Sequence, residues 1–328
     1  MSRTFFIVGP TATGKSEIAV DVAREVGAEI VSADAFQIYR GLDLLTAKPE
    51  TSMLAKAPHH LIGTVPLTEE MNAEKYRRAA TYAIEEINSR SKLAIVVGGS
   101  GLYVKALTHG LTPLSESDPN LRERLNAMSL DDLRSQLAKL NPAAVQKIDT
   151  KNRRRLVRAL EICLLSGKSL SEALAARSTV AEGVDLGGLV DVRPRSAPAP
   201  TGAESSIRAT GVFVFRDRQE LYERINQRVE MMFERGVIEE VRTADETSQT
   251  ASQMIGLREI RELLAGKKSI TQCIAEIQQA TRRYAKRQLT WFRRQTNFLP
   301  LNLSSLTNNE AVRWISLRIL SEAGTRDD

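Results

Sequence analysis

The sequence predicts an α/β fold in which a parallel sheet carries helices on both faces and is interrupted by an α-helical insertion. Two apolar runs, residues 5–8 and 93–97, each lead directly into a glycine, as buried strands of a parallel sheet do. Helix-like periodicity separates these runs, so strands alternate with helices along the chain. Residues 121–165 then show only helical patterns, which indicates a separate helical unit.

The first predicted strand opens a glycine-rich loop with the spacing G-x-x-x-x-G-K-S, and a helix-like segment follows it. This strand–loop–helix context is the one expected of a phosphate-binding loop, so the predicted sheet is P-loop NTPase-like. Glycines let backbone N–H groups converge on phosphate oxygens, and the helix N-terminus adds partial positive charge. The lysine supplies a full charge and the serine hydroxyl can hold Mg²⁺, so the loop predicts a phosphate or diphosphate ligand. Its residues are Gly9, Pro10, Thr11, Ala12, Thr13, Gly14, Lys15 and Ser16.

The composition is that of a globular protein large enough for two domains. The chain has 328 residues, 42% of them hydrophobic and 26% charged, and no apolar run reaches the length of a membrane span. The N-terminus enters a strand without the layout of a signal peptide, and two cysteines form no disulfide framework. We therefore expect a cytoplasmic protein with no membrane attachment. The net charge of +6 permits a nucleic-acid partner, and the three histidines lack metal-ligand spacing.

The second predicted strand, residues 28–34, ends in an acid. Because strand ends in parallel α/β sheets point into the ligand crevice, Asp34 lies where a functional carboxylate would lie. Two other interpretations stay open. One is an acid that binds a ribose, which fits poorly because the loop is not G-x-G-x-x-G. The other is an aspartate that caps the following turn.

The remaining segments define the predicted domains. A strand is predicted at residues 58–65, a helix at residues 74–87 and a last strand at residues 211–215. Four helices are predicted in the insertion, which carries a basic run at residues 151–158 that is either a solvated face or an interaction site. The predicted boundaries are 1–115 with 207–300 for the P-loop core, 116–182 for the helical insertion, 183–206 for a flexible loop rich in Gly, Pro, Ser and Ala, and 301–328 for a C-terminal tail.

A long amphipathic helix is predicted near the end of the core, at residues 278–295. At about 100° per residue its cations fall within one arc of about 140°, opposite a side that contains tyrosine, tryptophan and phenylalanine. No acid shares the cationic face, which favours a contact with a phosphate backbone over an ordinary amphipathic helix. A membrane-surface helix fits less well, because the opposite side includes Thr281 and Gln288. The cations are Arg282, Arg283, Lys286, Arg287, Arg293 and Arg294.

Taken in order, these motifs resemble those of the bacterial tRNA dimethylallyltransferases, also called tRNA isopentenylpyrophosphate transferases. The resemblance covers roughly residues 3–298 and is far more specific than the phosphate loop alone. Its motifs are GPTATGKS (9–16), VSADAFQIYRG (31–41) with TAKP (46–49), VGGSGLY (97–103), RLVRALE (155–161) and AKRQLTW (285–291).

The resemblance implies transfer of a dimethylallyl group from dimethylallyl diphosphate to N6 of an adenine next to the tRNA anticodon, with Mg²⁺ as cofactor. A monomer is expected, although the sequence itself leaves the oligomeric state open. The loop would hold the isoprenoid diphosphate in place of a nucleotide, with Arg218 as a further cation and Arg224 nearby. The implied catalytic residues are Asp34 as the base, Lys15, Arg218 and Ser100, with Ser16 on the metal. The expected contacts with the anticodon stem-loop are Asp34, Ala35, Phe36, Gln37, Ser100, Arg122, Arg154, Arg155, Leu156, Val157 and Arg158, and Arg283 and Arg287 of the basic helix.

The implied chemistry agrees with the residues themselves. An adenine amino group is a weak nucleophile, so a carboxylate that accepts its proton assists bond formation. Departure of diphosphate leaves negative charge, which cations and backbone N–H groups stabilise, and the base must leave its stack to react. The sequence departs from the family pattern at Leu45, where glycine is common, at Gly63, where an acid is usual, and at Ser100, where threonine is usual. These departures leave the local loop geometry open.

Two other functions fit parts of the sequence. A P-loop kinase for a small molecule or nucleotide would hold ATP in the same loop and use Asp34 to activate a hydroxyl, but it leaves the basic helix unexplained. A nucleotide-gated RNA-binding protein without catalysis would use the basic faces and leave Asp34 without a role. Transfer of a C5H8 unit to tRNA distinguishes the three.

Overall fold

The computed structural model describes residues 3–111, 118–166, 210–244 and 246–324. The chain divides into two compact units, Met1–Gly110 with Ser206–Asp328, and Leu111–Ser205. The flexible loop predicted at 183–206, and the part of the insertion predicted beyond residue 166, lie outside the described residues.

A parallel sheet forms the centre of the larger unit. Its strands are β1 (Thr4–Val8), β2 (Glu29–Ser32), β3 (His59–His60), β4 (Ala94–Gly98), β5 (Thr210–Phe215) and β6 (Leu299–Asn302). They run in the order β3-β2-β4-β1-β5-β6, and every neighbouring pair is parallel. The predicted parallel sheet is confirmed, with the strand that opens the glycine-rich loop at its centre. The strand predicted at residues 58–65 is only the two-residue β3.

Helices cover both faces of this sheet, as predicted. Alternate residues of β1 face opposite ways: Phe6 and Val8 belong to one buried cluster, Phe5 and Ile7 to another. The described helices are α1 (Lys15–Val26), α2 (Thr51–Leu54), α3 (Ala73–Ser89), α4 (Gly101–His109), α5 (Pro119–Ala127), α6 (Leu130–Leu140), α7 (Pro142–Lys147), α8 (Arg153–Ser166), α9 (Arg218–Glu234), α10 (Val237–Arg242), α11 (Leu257–Leu264), α12 (Ile270–Phe292) and α13 (Asn308–Gly324). Helices α3, α4, α9 and α12 pack on the first face, and α1 and α13 pack on the second. None of the described helices is long and apolar enough to cross a membrane.

The C-terminal segment corrects the predicted tail. Residues 299–302 form β6, which pairs with β5 and extends the sheet, so residues 211–215 are not its last strand. Helix α13 packs on α1, and Ser316 Oγ donates a hydrogen bond to Glu25 Oε2 at 2.6 Å. The strand has no readable alternation because it contains Pro300 and is partly exposed, features that an edge strand tolerates.

The described part of the smaller unit consists of helices α5 to α8. Its buried side chains include Leu133, Leu137, Leu156 and Leu160, which form a core separate from the two clusters of the sheet. Asp118 caps α5 by accepting hydrogen bonds from the backbone N–H groups of Asn120 and Leu121. This all-helical unit is therefore held together by its own apolar contacts.

Candidate active site

Three loops leave the sheet at the same edge, the carboxyl ends of β1, β2 and β4. The register places Val8 beside Gly98 and Ser32 beside Val97, so the three strands end together. Backbone hydrogen bonds continue past the strands, from Ser100 N to Ala33 O at 3.2 Å and from Gly9 N to Gly98 O at 3.2 Å. The phosphate loop, Asp34 and Ser100 are thereby brought to one site, as their positions after predicted strands indicated.

The phosphate loop has the backbone curvature that its glycines predict. Gly14 caps α1 with a φ of 91°, and Ala12 adopts a left-handed φ of 65°, which is uncommon for a residue with a Cβ. Within the loop, Thr13 Oγ1 donates to Pro10 O at 3.0 Å and Lys15 Nζ donates to the same carbonyl at 3.2 Å. Burial lowers the pKa of Lys15 to about 8, although the charge of Asp34 acts in the opposite direction. The lysine is thus held inside the loop near the carboxylate.

Three arginines contact the phosphate loop from outside it. Arg216 Nε donates to Thr13 O at 2.8 Å and Arg224 Nε donates to Ala12 O at 2.9 Å. Arg228 Nη1 donates to Thr11 Oγ1 at 3.1 Å, and burial lowers the pKa of this guanidinium, with Arg224 adding to the effect. Arg224 was predicted near the loop, whereas Arg216 and Arg228 were not predicted as site residues. The i, i+4 spacing of Arg224 and Arg228 on α9 is the signal that could have found the latter.

Arg218 occupies a different position from these three. It is exposed at the start of α9, and its guanidinium lies over the Tyr222 ring at 5.2 Å from the ring centroid. Arg282 of α12 approaches the same ring at 6.0 Å. The contact between Arg218 and the diphosphate stays a prediction, whereas Arg216, Arg224 and Arg228 already touch the loop.

Asp34 is held by its own turn. Its Oδ1 accepts hydrogen bonds from Phe36 N at 2.9 Å and Gln37 N at 3.3 Å, so the turn-capping interpretation describes this oxygen correctly. Within the described part of the chain, Oδ2 has no hydrogen-bond partner. The negative charge of Asp34 opposes the lowering of the pKa of Lys15 and of Arg228 by burial, as expected for a carboxylate on the same edge of the sheet as the phosphate loop. One carboxylate oxygen therefore fixes the turn, and the other is available to a substrate.

The residues after Asp34 are fixed from two sides. Ser100 is buried, and its Oγ accepts a hydrogen bond from Ala35 N at 2.9 Å. Gln37 is half-buried, and its Nε2 donates to Thr46 O at 3.3 Å and to Ala47 O at 2.9 Å. Of the Gln37 amide, the oxygen is therefore the atom left for a ligand. Ala35 and Phe36, the other predicted contacts in this stretch, are half-buried.

Three tyrosines that were not predicted as site residues lie near enough to the carboxylate for its charge to affect their pKa. The rings of Tyr76 and Tyr103 stack at 4.0 Å, and the Tyr76 hydroxyl donates to Ser32 O at 3.0 Å. Burial, with the charge of Asp34 adding to it, raises the pKa of Tyr76, Tyr103 and Tyr284 well above their usual value. These phenols are neutral, and they give the site an aromatic wall. Tyr284 was predicted on the core-facing side of the basic helix, and periodicity could not show which loops of the sheet that side meets.

The predicted tRNA contacts of the insertion divide into exposed and buried side chains. Arg154 is exposed and Arg155 half-buried, so both can reach a ligand. Leu156 and Val157 are only 0% and 5% exposed, because they pack in the core of the smaller unit. Their side chains are buried, so a contact of these two residues with tRNA would have to use the backbone, and it stays a prediction.

Arg122 and Arg158, also predicted to contact tRNA, bind a carboxylate inside the insertion. Arg122 donates to Glu161 Oε1 and Oε2 at 2.7 and 2.8 Å, and Arg158 Nη1 donates to Oε2 at 3.1 Å. Glu161 is fully buried, whereas the two arginines keep part of their surface exposed. Their contact with RNA stays a prediction, and the structure shows a structural role for both.

The basic helix is α12, and its faces divide as predicted. Cys273, Ile277 and Phe292 are buried on the sheet side. Arg282 is half-buried and donates to Asn226 Oδ1 at 2.5 Å, and the Arg287 guanidinium lies 5.6 Å from the centroid of the Tyr284 ring. The exposed cations are Arg283, Lys286, Arg287, Arg293 and Arg294.

The fold and the site together define a P-loop α/β protein with a cationic phosphate site beside a carboxylate. Residues 37–295 match the model of the family described as IPP transferase. The chain belongs to this IPP transferase family, as its motifs predicted.

Relatives of the chain carry names that agree with the family. The chain is similar to the tRNA dimethylallyltransferase of Caulobacter sp. (strain K31), with 40% identity over 90% of this chain and 91% of the relative. It is 37% identical to the tRNA dimethylallyltransferase of Akkermansia muciniphila over 98% of this chain and 99% of the relative. Among solved structures, it resembles the full-length tRNA isopentenylpyrophosphate transferase from Bacillus halodurans, with a TM-score of 0.69, 30% identity and coverage of 100% of this chain and 98% of the other.

Proposed function

We propose that the chain transfers a dimethylallyl group from dimethylallyl diphosphate to N6 of the adenine next to the anticodon of tRNA. The observation that carries the proposal is the convergence of Asp34 and the phosphate loop at one edge of the sheet, where β1, β2 and β4 end together. Among the described residues one oxygen of the Asp34 carboxylate has no hydrogen-bond partner, and its charge acts on the pKa of Lys15 and Arg228. A base and a diphosphate site at this proximity suit a direct displacement between an amine and an allylic diphosphate.

The reaction would proceed by one substitution. The adenine N6 lone pair forms a bond to C1 of the dimethylallyl group, and the C1–O bond breaks, so that diphosphate departs with the electron pair. Asp34 Oδ2 accepts the proton that N6 loses. Lys15, Arg216, Arg224 and Arg228 stabilise the charge on the departing diphosphate, together with the backbone N–H groups of the loop.

A magnesium ion would bind at the phosphate loop. Ser16 is half-buried in the first turn of α1, directly after Lys15 in the chain. The described residues include no group of three or more His, Cys, Asp or Glu side chains that could hold a metal by themselves. This donor set fits Mg²⁺, which is commonly held by one or two protein oxygens together with substrate phosphates and water. When bound, the ion would neutralise charge on the diphosphate.

The tRNA would bind across the exposed cations. Arg283 and Arg287 lie on the exposed face of α12, and Tyr284 of the same helix lies close to Asp34. An anticodon stem-loop placed along this face could deliver its flipped adenine to the carboxylate. In the insertion, Arg154 is exposed and would supply a further phosphate contact. We propose that the enzyme acts as a monomer in the cytoplasm.

The test is incubation of unmodified tRNA with the protein, Mg²⁺ and dimethylallyl diphosphate, followed by mass spectrometry of the nucleosides. The proposal predicts that one adenosine gains a C5H8 unit while diphosphate is released. Addition of ATP should change nothing. Consumption of ATP in step with a phosphorylated product would instead identify a kinase.

A further inference from the structure

We propose that Gln288 is a positioning residue, one that fixes the distance between the phosphate loop and the loop that carries the proton acceptor. This inference rests on the proposed transfer reaction and assigns it a residue that touches neither substrate. The side chain lies on the sheet-facing side of α12 and is only 5% exposed. A buried amide needs partners for both its oxygen and its nitrogen.

The Gln288 amide joins two of the three loops of the site. Its Oε1 accepts a hydrogen bond from Thr11 N of the phosphate loop at 2.9 Å. Its Nε2 donates to Gly99 O, in the loop after β4, at 2.8 Å. The two partners need opposite roles, one an acceptor and one a donor, so only a group that offers both can satisfy them. These two hydrogen bonds explain why Gln288, a polar residue, lies on the buried side of α12.

The loop after β4 is shaped to receive this helix. A Cβ on Gly99 would lie 2.3 Å from Gln288 Nε2 and 2.8 Å from Gly9 O, closer than van der Waals contact allows. A Cβ on Gly101 would lie 2.7 Å from the indole of Trp291, one turn further along α12. Both glycines therefore permit a close approach of the helix, and Gln288 occupies the space that this approach creates.

The connection continues to the carboxylate. Ser100 follows Gly99, and its Oγ accepts the hydrogen bond from Ala35 N, the residue after Asp34. A chain of hydrogen bonds thus runs from Thr11 through Gln288 and the Gly99–Ser100 backbone to the Asp34 turn. The proposed reaction needs the diphosphate at one end of this chain and N6 at the other end to approach each other closely. A misplacement of about 1 Å costs up to about 100-fold in rate.

The first experiment compares binding with chemistry. Gln288→Met keeps the side-chain volume and removes both hydrogen bonds. We expect the single-turnover rate, with both substrates saturating, to fall roughly 10- to 100-fold. The dissociation constants of pyrophosphate and of tRNA should change less than about threefold. Gln279→Met is the matched control, since this glutamine is exposed on the same helix.

The second experiment uses a variant whose hydrogen bonding depends on pH. In Gln288→Glu, a protonated carboxyl can donate to Gly99 O and accept from Thr11 N as the amide does, whereas the ionised form has no proton for Gly99 O. Burial raises the pKa of a carboxyl, so protonation should begin well above pH 5. The neighbouring Tyr284 has its pKa raised by burial and keeps its proton throughout. We expect the rate of this variant, divided by the wild-type rate, to rise as pH is lowered from 8 to 5.5.

The ratio for Gln288→Met should stay flat over the same range, because effects of pH that are common to all three proteins cancel. Flat ratios for both variants, or equal losses in rate and in the binding of both substrates, would show that Gln288 only supports the fold. A wild-type protein that transfers no group would overturn the proposed function itself, which is a separate result.

Discussion

The guanidinium of Arg122 and the carboxylate of Glu161 face each other as a two-point ion pair, with both hydrogen bonds under 3 Å and the carboxylate fully buried. Arg158 adds a third hydrogen bond to the same carboxylate. The resemblance to the family implied tRNA contacts for both arginines. Their geometry shows that they stabilise the insertion from within, whatever else they contact.

Glu161→Gln should destabilise the insertion. The variant leaves two cations without their anion, and we expect the free energy of unfolding to fall by about 3 kcal/mol, the low end for a broken buried pair because both arginines are partly exposed. Chemical denaturation followed by circular dichroism measures the change. Glu123→Gln, an exposed glutamate on α5, is the control and should have almost no effect. Equal stability of the two variants would contradict a structural role for the pair.

Asp34→Asn should abolish proton acceptance while the turn is kept. The amide oxygen can still accept from Phe36 N and Gln37 N, so the fold of the loop should persist. We expect kcat to fall by roughly 10² to 10⁴ with tRNA affinity almost unchanged. Asp118→Asn is the matched control, because Asp118 also accepts from two backbone N–H groups but lies in the insertion. A near wild-type rate for Asp34→Asn would reduce Asp34 to a turn cap.

Arg228→Met should weaken diphosphate binding. The substitution removes a half-buried charge that contacts Thr11 of the phosphate loop. Hydrogen bonds to charged groups contribute enough that we expect the Kd of pyrophosphate to rise roughly 10- to 100-fold. Titration calorimetry with pyrophosphate and Mg²⁺ measures this dissociation constant. Arg235→Met removes an exposed arginine at the end of the same helix and should bind pyrophosphate normally. If both variants bind alike, the loop does not use Arg228.

Diphosphate binding should weaken above about pH 8. The pKa of Lys15 is lowered to about 8 by burial, so the free protein holds this charge below pH 8 and loses it above. A bound diphosphate favours the protonated lysine, so binding above pH 8 must take up a proton. The Kd then rises by up to about tenfold per pH unit. Pyrophosphate titrations from pH 7 to 9.5 measure the slope. The Lys15→Met variant should bind pyrophosphate more weakly, and its Kd should change with pH only as the protonation of pyrophosphate itself changes. The same dependence of Kd on pH in the wild-type protein and in the variant would rule out this role for the lysine.

Removal of two cations from α12 should flatten the salt dependence of tRNA binding. Each phosphate contact releases condensed counterions, and the slope of log K against log salt changes by about 0.7 to 0.9 per contact. Arg283→Ala with Arg287→Ala should therefore reduce the slope by roughly one to two units and leave pyrophosphate affinity unchanged. Arg235→Ala with Arg242→Ala, a pair of exposed arginines elsewhere, is the control. An unchanged slope in a folded double variant would remove α12 from the RNA interface.

Local signals in the sequence were sufficient for the central strands of the sheet and for the residues that follow them. The glycine-rich loop, Asp34 and Ser100 each follow a buried strand, and parallel strands end at one edge, so their convergence could be predicted. The arc of cations on α12 likewise followed from helical periodicity.

Residues that act across long sequence distances could not be predicted. Arg216 directly follows β5, which pairs with β1, and it contacts the phosphate loop from there. Sequence periodicity does not show which residue such a side chain will contact. In the sequence, Gln288 is only a polar residue on the apolar face of a helix. Its two partners, Thr11 and Gly99, lie 277 and 189 positions away, so no local pattern connects them. The strand β6 needs its pairing with β5 to be recognised at all, since four residues that include a proline carry little periodicity of their own.

The placement of β6 and α13 has a consequence for the order of events at the ribosome. Strand β1 is translated before the other strands of the sheet and ends up in its middle. The edge strand β6 and the helix α13, which packs on α1, are translated after the other described elements. The glycine-rich loop is thus complete as a sequence early in synthesis but lacks Arg228 and Gln288 until most of the chain has emerged. Long-range contacts of this kind slow folding. A nascent chain released at residue 280 should therefore hold neither pyrophosphate nor tRNA, so that only completed chains would compete for substrate.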